Sequence, residues 1–172
     1  ESFERIHKWI RLAQGGTKGS HLFVYNPYAS KPQAHGKLPT PCMTSVGMLM
    51  SFYSGSNRDQ PLMNRGADYL LQNLPDLGTT RSPKRDTYYW YYGTQVMYHM
   101  GGQYWEAWNS KLYPLLVENQ ITEGPLAGSW HARHPIPDRW GIRVGRLYVT
   151  AMNLLSLEIE HRPLPIYADV PE

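Results

Sequence analysis

The stretch from Asp86 to Gly102, DTYYWYYGTQVMYHMGG, constrains the fold more than any other part of the chain. Both ends are marked as helix ends. Asp86 is a good N-cap, since its carboxylate can accept a free backbone N–H of the first turn. Gly101 and Gly102 form a stop, because glycine enters the left-handed region without steric cost. Between them Tyr88, Tyr89, Trp90, Tyr91, Tyr92, Val96, Met97, Tyr98 and Met100 cover every face of the helix. A helix that is apolar or aromatic all round is buried among other elements. This segment is therefore expected to be a central helix with other helices packed around it.

The remaining segments read as helices of two kinds. Residues 2–13 carry a one-sided stripe of Phe3, Ile6, Trp9, Ile10 and Ala13, ended by Gln14-Gly15-Gly16. Residues 15–40 form a long loop, in which Phe23, Val24 and Tyr25 are expected to pack down onto the body. Residues 42–54 read as a second all-round apolar helix with Pro41 at its start and Gly55 at its end. Asp59 is expected to cap a third helix over 60–74, with Leu62, Leu70, Leu71 and Leu74 as its apolar positions. A fifth helix over 103–119 shows Tyr104, Trp105, Trp108, Leu112, Leu115 and Leu116 on one stripe. Pro114 predicts a kink or early end there. A sixth spans 143–160, apolar through Val144, Leu147, Tyr148, Ala151, Leu154, Leu155 and Ile159, before a proline-rich tail over 163–172. The expectation is an all-α single domain over 1–172 with about six main helices.

Composition excludes several classes. With 41% hydrophobic and 18% charged residues, the chain is expected to fold rather than stay disordered. A net charge of +3 is too small to point to nucleic acid, and no apolar run is long enough for a transmembrane segment. The single cysteine allows no internal disulfide, and the compartment is not readable from the sequence.

The helices alternate in character. The first, third and fifth are one-sided, and the second, fourth and sixth are apolar over most of their surface. Met43-Thr44-Ser45, Gly93-Thr94-Gln95 and Val149-Thr150-Ala151 place a threonine at a similar point of each apolar helix. A two-helix unit of about 50 residues is the mark of a helical repeat, here over roughly 1–55, 56–102 and 103–162. Leu115-Leu116-Val117-Glu118-Asn119-Gln120 is followed by Gly128-Ser129-Trp130. This resembles the glutamine and Gly-x-Trp signature of the prenyltransferase and squalene-oxidase repeat, found in the α/α toroids of terpenoid cyclases and prenyltransferases. Residues 86–160 are most similar to squalene-cyclase-like bacterial proteins. The resemblance implies helical hairpins in inner and outer layers, arranged as a partial α/α toroid.

The chemistry of that superfamily is not carried by these residues. The place of the class II cyclase acid is matched by Thr40-Pro41-Cys42-Met43-Thr44, which holds no carboxylate to protonate an alkene or epoxide. Pro41-Cys42-Met43 is not the Gly-Cys-Gly-Glu-Gln setting of thioester domains, and Cys42 is read as a buried small apolar residue. His131 and His134 with Asp138 do not make a zinc pattern, so no metal and no cofactor is expected. The basic cluster Arg133, Arg139, Arg143 and Arg146 reads first as intramolecular ion pairing with Asp138 or Glu123. Its alternative is anion binding by Arg139, Arg143 and Arg146, with the last two in the first turn of the last helix, where the macrodipole disfavours cations. Core packing is the first reading of the tyrosine run. A pocket wall for a small apolar ligand is the other, with Tyr88, Trp90, Tyr91, Tyr92 and Tyr148 as its candidates.

The leading expectation is a non-catalytic interaction or scaffold domain that binds a protein partner or forms a homo-oligomer. Inner apolar helices of a partial ring lack neighbours, and large exposed apolar patches mark binding surfaces. The alternative is a small-molecule enzyme or binder, terpenoid- or lipid-directed or a polysaccharide lyase, with an aromatic-lined concave cavity.

Overall fold

The computed structural model describes residues 2–15, 20–30 and 36–161. Among these residues the fold is all-α. The helices are α1 (Ser2–Ala13), α2 (Pro41–Tyr53), α3 (Pro61–Leu71), α4 (Thr87–Met100), α5 (Gly102–Glu118), α6 (Gly141–Val144) and α7 (Arg146–Leu157). A 3-10 turn over Ile159–His161 follows. The tail 163–172, Gly16 and parts of the 15–40 loop lie outside the described residues. The chain divides into two compact units, Glu1–Asn73 and Leu74–Glu172.

In the first unit α2 packs against both α1 and α3. The Thr40 side chain accepts the Met43 N–H and caps α2, and Pro41 occupies the first turn, where a missing N–H costs nothing. Phe23 and Val24 are buried as expected, with Val24 donating its N–H to the Ala13 carbonyl at 2.8 Å and Phe23 to Thr44 Oγ1 at 3.2 Å. Gly47 makes room for the Phe23 ring, whose atoms lie only 2.2 Å from where a Cβ would stand. Tyr25 departs from the expectation and is 65% exposed, one residue past the anchored pair. The cap of α3 is Gln60 rather than Asp59, without a side-chain hydrogen bond. The Asp59 N–H is taken instead by Asn57 Oδ1 at 3.0 Å.

In the second unit α4 is the hub and packs against α5, α7 and the 3-10 turn. Its ends are as read from the sequence. Asp86 Oδ1 accepts the Tyr89 N–H at 3.0 Å, and Gly101 closes the helix at φ 68°. Gly93 lets Trp108 of α5 lie directly on the α4 backbone, with the indole 2.4 Å from a would-be Cβ. Trp108 is fully buried and donates Nε1–H to Thr94 Oγ1 at 3.0 Å. The α5 stripe narrows to Trp108, Leu112 and Leu116, spaced four residues apart. Pro114 does not end α5, which continues to Glu118, because Trp108, Leu112 and Leu116 hold both of its halves in the core.

The last helix differs most from the sequence reading. Gly145, at φ 92°, breaks it into α6 and α7. Arg143 therefore falls in the last turn of α6, where a cation suits the dipole, and only Arg146 starts α7. Val149, Asn153 and Ser156 form the buried stripe of α7, whereas Leu147, one of the apolar positions of the last helix, is 83% exposed.

Candidate functional site

The most densely bonded polar feature of the second unit surrounds the N-terminus of α4. Arg85 and Asp138 are both buried. Arg85 Nη1 lies within hydrogen-bond distance of the carbonyls of His131, His134 and Ile136, at 2.9, 3.0 and 3.1 Å. Burial lowers the Arg85 pKa below its ordinary value, and the nearby Asp138 charge opposes that shift. Asp138 Oδ2 accepts the Thr87 N–H at 2.9 Å, and Oδ1 accepts those of Trp140 and Gly141 at 3.0 and 2.6 Å. One carboxylate thus satisfies a first-turn donor of α4 and two donors where α6 begins. Outside this pair, Arg139 reaches Asp86 Oδ2 at 3.5 Å, and its N–H binds the Arg85 carbonyl at 2.9 Å. Burial raises the Asp86 pKa, while the Tyr89 N–H and the Arg139 charge act against it. Arg85-Asp86 and Asp138-Arg139 form a crossed clasp that ties the 131–140 loop to α4.

The candidate arginines have separate partners. Arg139 is held by Asp86 as above. Arg146 Nη1 donates to Ser129 Oγ at 3.2 Å, and Arg143 is exposed on α6. The expected ion pairing is present for Arg139, but its carboxylate is Asp86 and not Asp138 or Glu123. Asp138 serves backbone N–H groups and balances Arg85. His131 lies in the basic surroundings of this loop. Burial lowers its pKa first, followed by the charges of His134, Arg146, Arg85 and Arg133.

The tyrosines divide between two sides of α4. Tyr88 and Tyr92 meet edge to face at 4.9 Å, and Tyr91 and Tyr92 at 5.0 Å. All three are half-buried. Trp90, roughly 200° around the helix from Tyr88 at 3.6 residues per turn, is 2% exposed and belongs to the core. Tyr148 is half-buried on α7. A shallow depression on the second unit runs along α5 between Trp105, Asn109 and Tyr113, and none of these tyrosines lines it.

The His131 and His134 rings lie 4.6 Å apart and tilted by 54°, but His131 Nδ1 accepts the N–H groups of Arg133 and His134. Among the described residues, no three His, Cys, Asp or Glu side chains are placed to hold a metal ion. Cys42 is half-buried at the start of α2. His99, in the last turn of α4, is the strongly perturbed histidine, and burial pushes its pKa down from 6.5 to about 4.

His99 gives a pH prediction. A histidine whose folded pKa is depressed binds its proton more readily when unfolded. Its stabilising contribution is complete above about pH 6.5 and is lost as pH falls toward about 4. Because the ring is only half-buried, the loss is on the order of 1–2 kcal/mol rather than the full shift. Urea unfolding between these pH values is expected to show the decline, and His99→Gln to flatten it. An unchanged slope in the variant would assign the decline to other groups.

Sequence reasoning missed Arg85 as a buried anchor, although Arg85-Asp86 and Asp138-Arg139 are visible as mirrored dipeptides. Compared with known proteins, the chain matches no family model, no curated protein and no solved structure. No helix among the described residues is long and apolar enough to cross a membrane.

Proposed function

We propose that this chain is a non-catalytic interaction module and that the α6–α7 edge is its contact face. The observation that carries this reading is the run of exposed apolar side chains there. Ile142, Val144, Leu147 and Leu154 are 48%, 57%, 83% and 42% exposed. Single exposed leucines are ordinary, but several large apolar side chains exposed on two successive helices are the kind of surface that a partner covers. Trp140, 39% exposed with the Arg139 guanidinium 5.5 Å from its ring, stands beside this run and supplies the kind of aromatic that anchors interfaces.

The resemblance to the squalene-cyclase-like repeat belongs to the same proposal. It is supported by the way its signature residues are used. Gln120 Nε2 donates to the Gly128 carbonyl at 3.0 Å, and Trp130 Nε1 donates to the Leu116 carbonyl at 2.8 Å, so glutamine and tryptophan together bind the strap after α5 to the helix end. The start of α2, where the cyclase acid would stand, carries no carboxylate, which supports a binding role over catalysis.

The test is a photo-reactive amino acid in place of Leu147 in cells that make the protein. Defined cross-linked species are expected from position 147, and a probe at the exposed Tyr113 of α5 serves as the control. A probe at 147 that captures nothing beyond the control would overturn the reading.

A further inference from the structure

We propose that the occupant of this edge is a lipid bilayer with anionic headgroups, and that the α6 turn is the point of contact. The inference rests on the α6–α7 edge being a contact face, and it adds what lies against it.

The shape of the tip comes from the backbone. Gly141 lets α6 lie against the body, since a Cβ there would stand 2.6 Å from the Val149 side chain and 3.0 Å from that of Asp138. The next three residues, Ile142, Arg143 and Val144, are all exposed. Successive helix residues point about 100° apart, so three in a row spread over roughly 200° of the circumference. All three are open to solvent only because the turn stands out from the body. Gly145 at φ 92° then leads into α7, where Leu147 is 83% exposed. The tip is convex. A folded protein partner would have to offer a matching hollow, whereas a fluid bilayer accepts such a tip without one.

The side chains are of the kinds that settle at a membrane surface. Ile142, Val144 and Leu147 are aliphatic, and Trp140 beside them is 39% exposed. An indole has an apolar ring and a polar N–H, which suits the boundary between acyl chains and headgroups. Charge then selects the lipid. Residues 131–147 hold Arg133, Arg139, Arg143 and Arg146 against a single acid, Asp138. Asp138 is buried, and it faces Arg85 and three backbone N–H groups, so it leaves the surface charge uncancelled. Arg139 meets Asp86 at 3.5 Å, yet its side chain stays 61% exposed. Arg146 is held by the uncharged Ser129 hydroxyl. Arg133 and Arg143 are exposed, with no carboxylate within ion-pair distance among the described residues. A guanidinium binds a phosphate through two parallel N–H bonds, and basic residues beside an apolar tip are drawn to an anionic leaflet. The exposed Tyr113 and Val117 of α5 differ, since Glu106, Lys111 and Glu118 around them carry both signs.

Co-sedimentation of the whole chain with vesicles of phosphatidylcholine, alone and mixed with phosphatidylserine, reads the result. Binding is expected to the mixed vesicles, weakened about tenfold or more on phosphatidylcholine alone. Arg143→Glu reverses one charge at the tip and is expected to weaken binding about tenfold, while Arg143→Lys keeps it. The pair Ile142→Ser and Val144→Ser is expected to weaken binding by a similar factor, and Tyr113→Ser on α5 to leave it unchanged. Circular dichroism confirms that each variant is folded, which these exposed positions permit. No binding to the mixed vesicles, equal binding to both kinds, or binding indifferent to the tip variants overturns the proposal. The Leu147 probe separates the two claims. Protein adducts at 147 without vesicle binding overturn the lipid and leave the edge as a contact face, and failure of both overturns the edge as well.

Discussion

Asp138→Ala is expected to destabilise the second unit by about 3–5 kcal/mol, against a total stability for a domain of about 5–15 kcal/mol. The effect has two sources. Three backbone N–H groups, of Thr87, Trp140 and Gly141, lose their acceptor, and the first two structural consequences are an open α4 N-terminus and an unanchored α6. The buried Arg85 charge also loses its counter-charge. Removing one member of a buried pair is costly because the other charge stays behind without compensation. Asp138→Asn offers one acceptor oxygen instead of two and no charge, and an intermediate loss is expected from it. Urea unfolding followed by circular dichroism measures both variants. A loss below about 1 kcal/mol for the alanine variant, the cost of an ordinary single hydrogen bond, would show that the clasp is not a stabilising element.

Trp130→Ala is expected to cost a similar amount, about 3–5 kcal/mol, as large aromatic truncations in cores do. Trp130 is 1% exposed, and its indole N–H binds the Leu116 carbonyl at 2.8 Å. Its own N–H binds Thr150 Oγ1 at 3.2 Å, so the residue joins the strap after α5 to both α5 and α7. Trp130→Phe keeps a six-membered ring but loses the indole donor and the remaining indole volume. About 2–3 kcal/mol is expected for it, the cost of one unsatisfied buried carbonyl together with a small cavity. Equal losses for phenylalanine and alanine would mean that the hydrogen bond, not the ring packing, dominates.

These two residues differed in how far they could be read beforehand. Trp130 stood in a recognisable pattern with Gln120 and Gly128, and the structure gives that pattern a hydrogen-bonded role. Asp138 reads in the sequence as a counter-ion for the arginines around it, or as a neighbour of His131 and His134 in a zinc pattern that is not completed. Its actual partners are backbone N–H groups, one of which is separated from it by 51 residues. Backbone donors carry no sequence signal, so a carboxylate that serves them looks like any other. Arg85 escaped for the same reason, since it binds carbonyls 46 to 51 residues away.

Local chemistry in the sequence determined the α4 helix, its Asp86 cap and its Gly101 stop, because each depends on residues within one or two helical turns. It determined the all-α class and the burial of Phe23 and Val24 for the same reason, through side-chain type and periodicity. Tertiary structure decided the rest. Pro114 is carried inside α5 because core contacts on both sides outweigh one missing hydrogen bond. Gly145 divides the last apolar run into α6 and α7, where the cost of a glycine in a helix, about 1 kcal/mol, is small enough for packing to settle either way. Which side of α7 faces inward was likewise a matter of packing. Its sequence is apolar nearly all round, so periodicity could not choose between Val149 and Leu147. The contacts that α4 makes with α7 bury the first and leave the second in solvent.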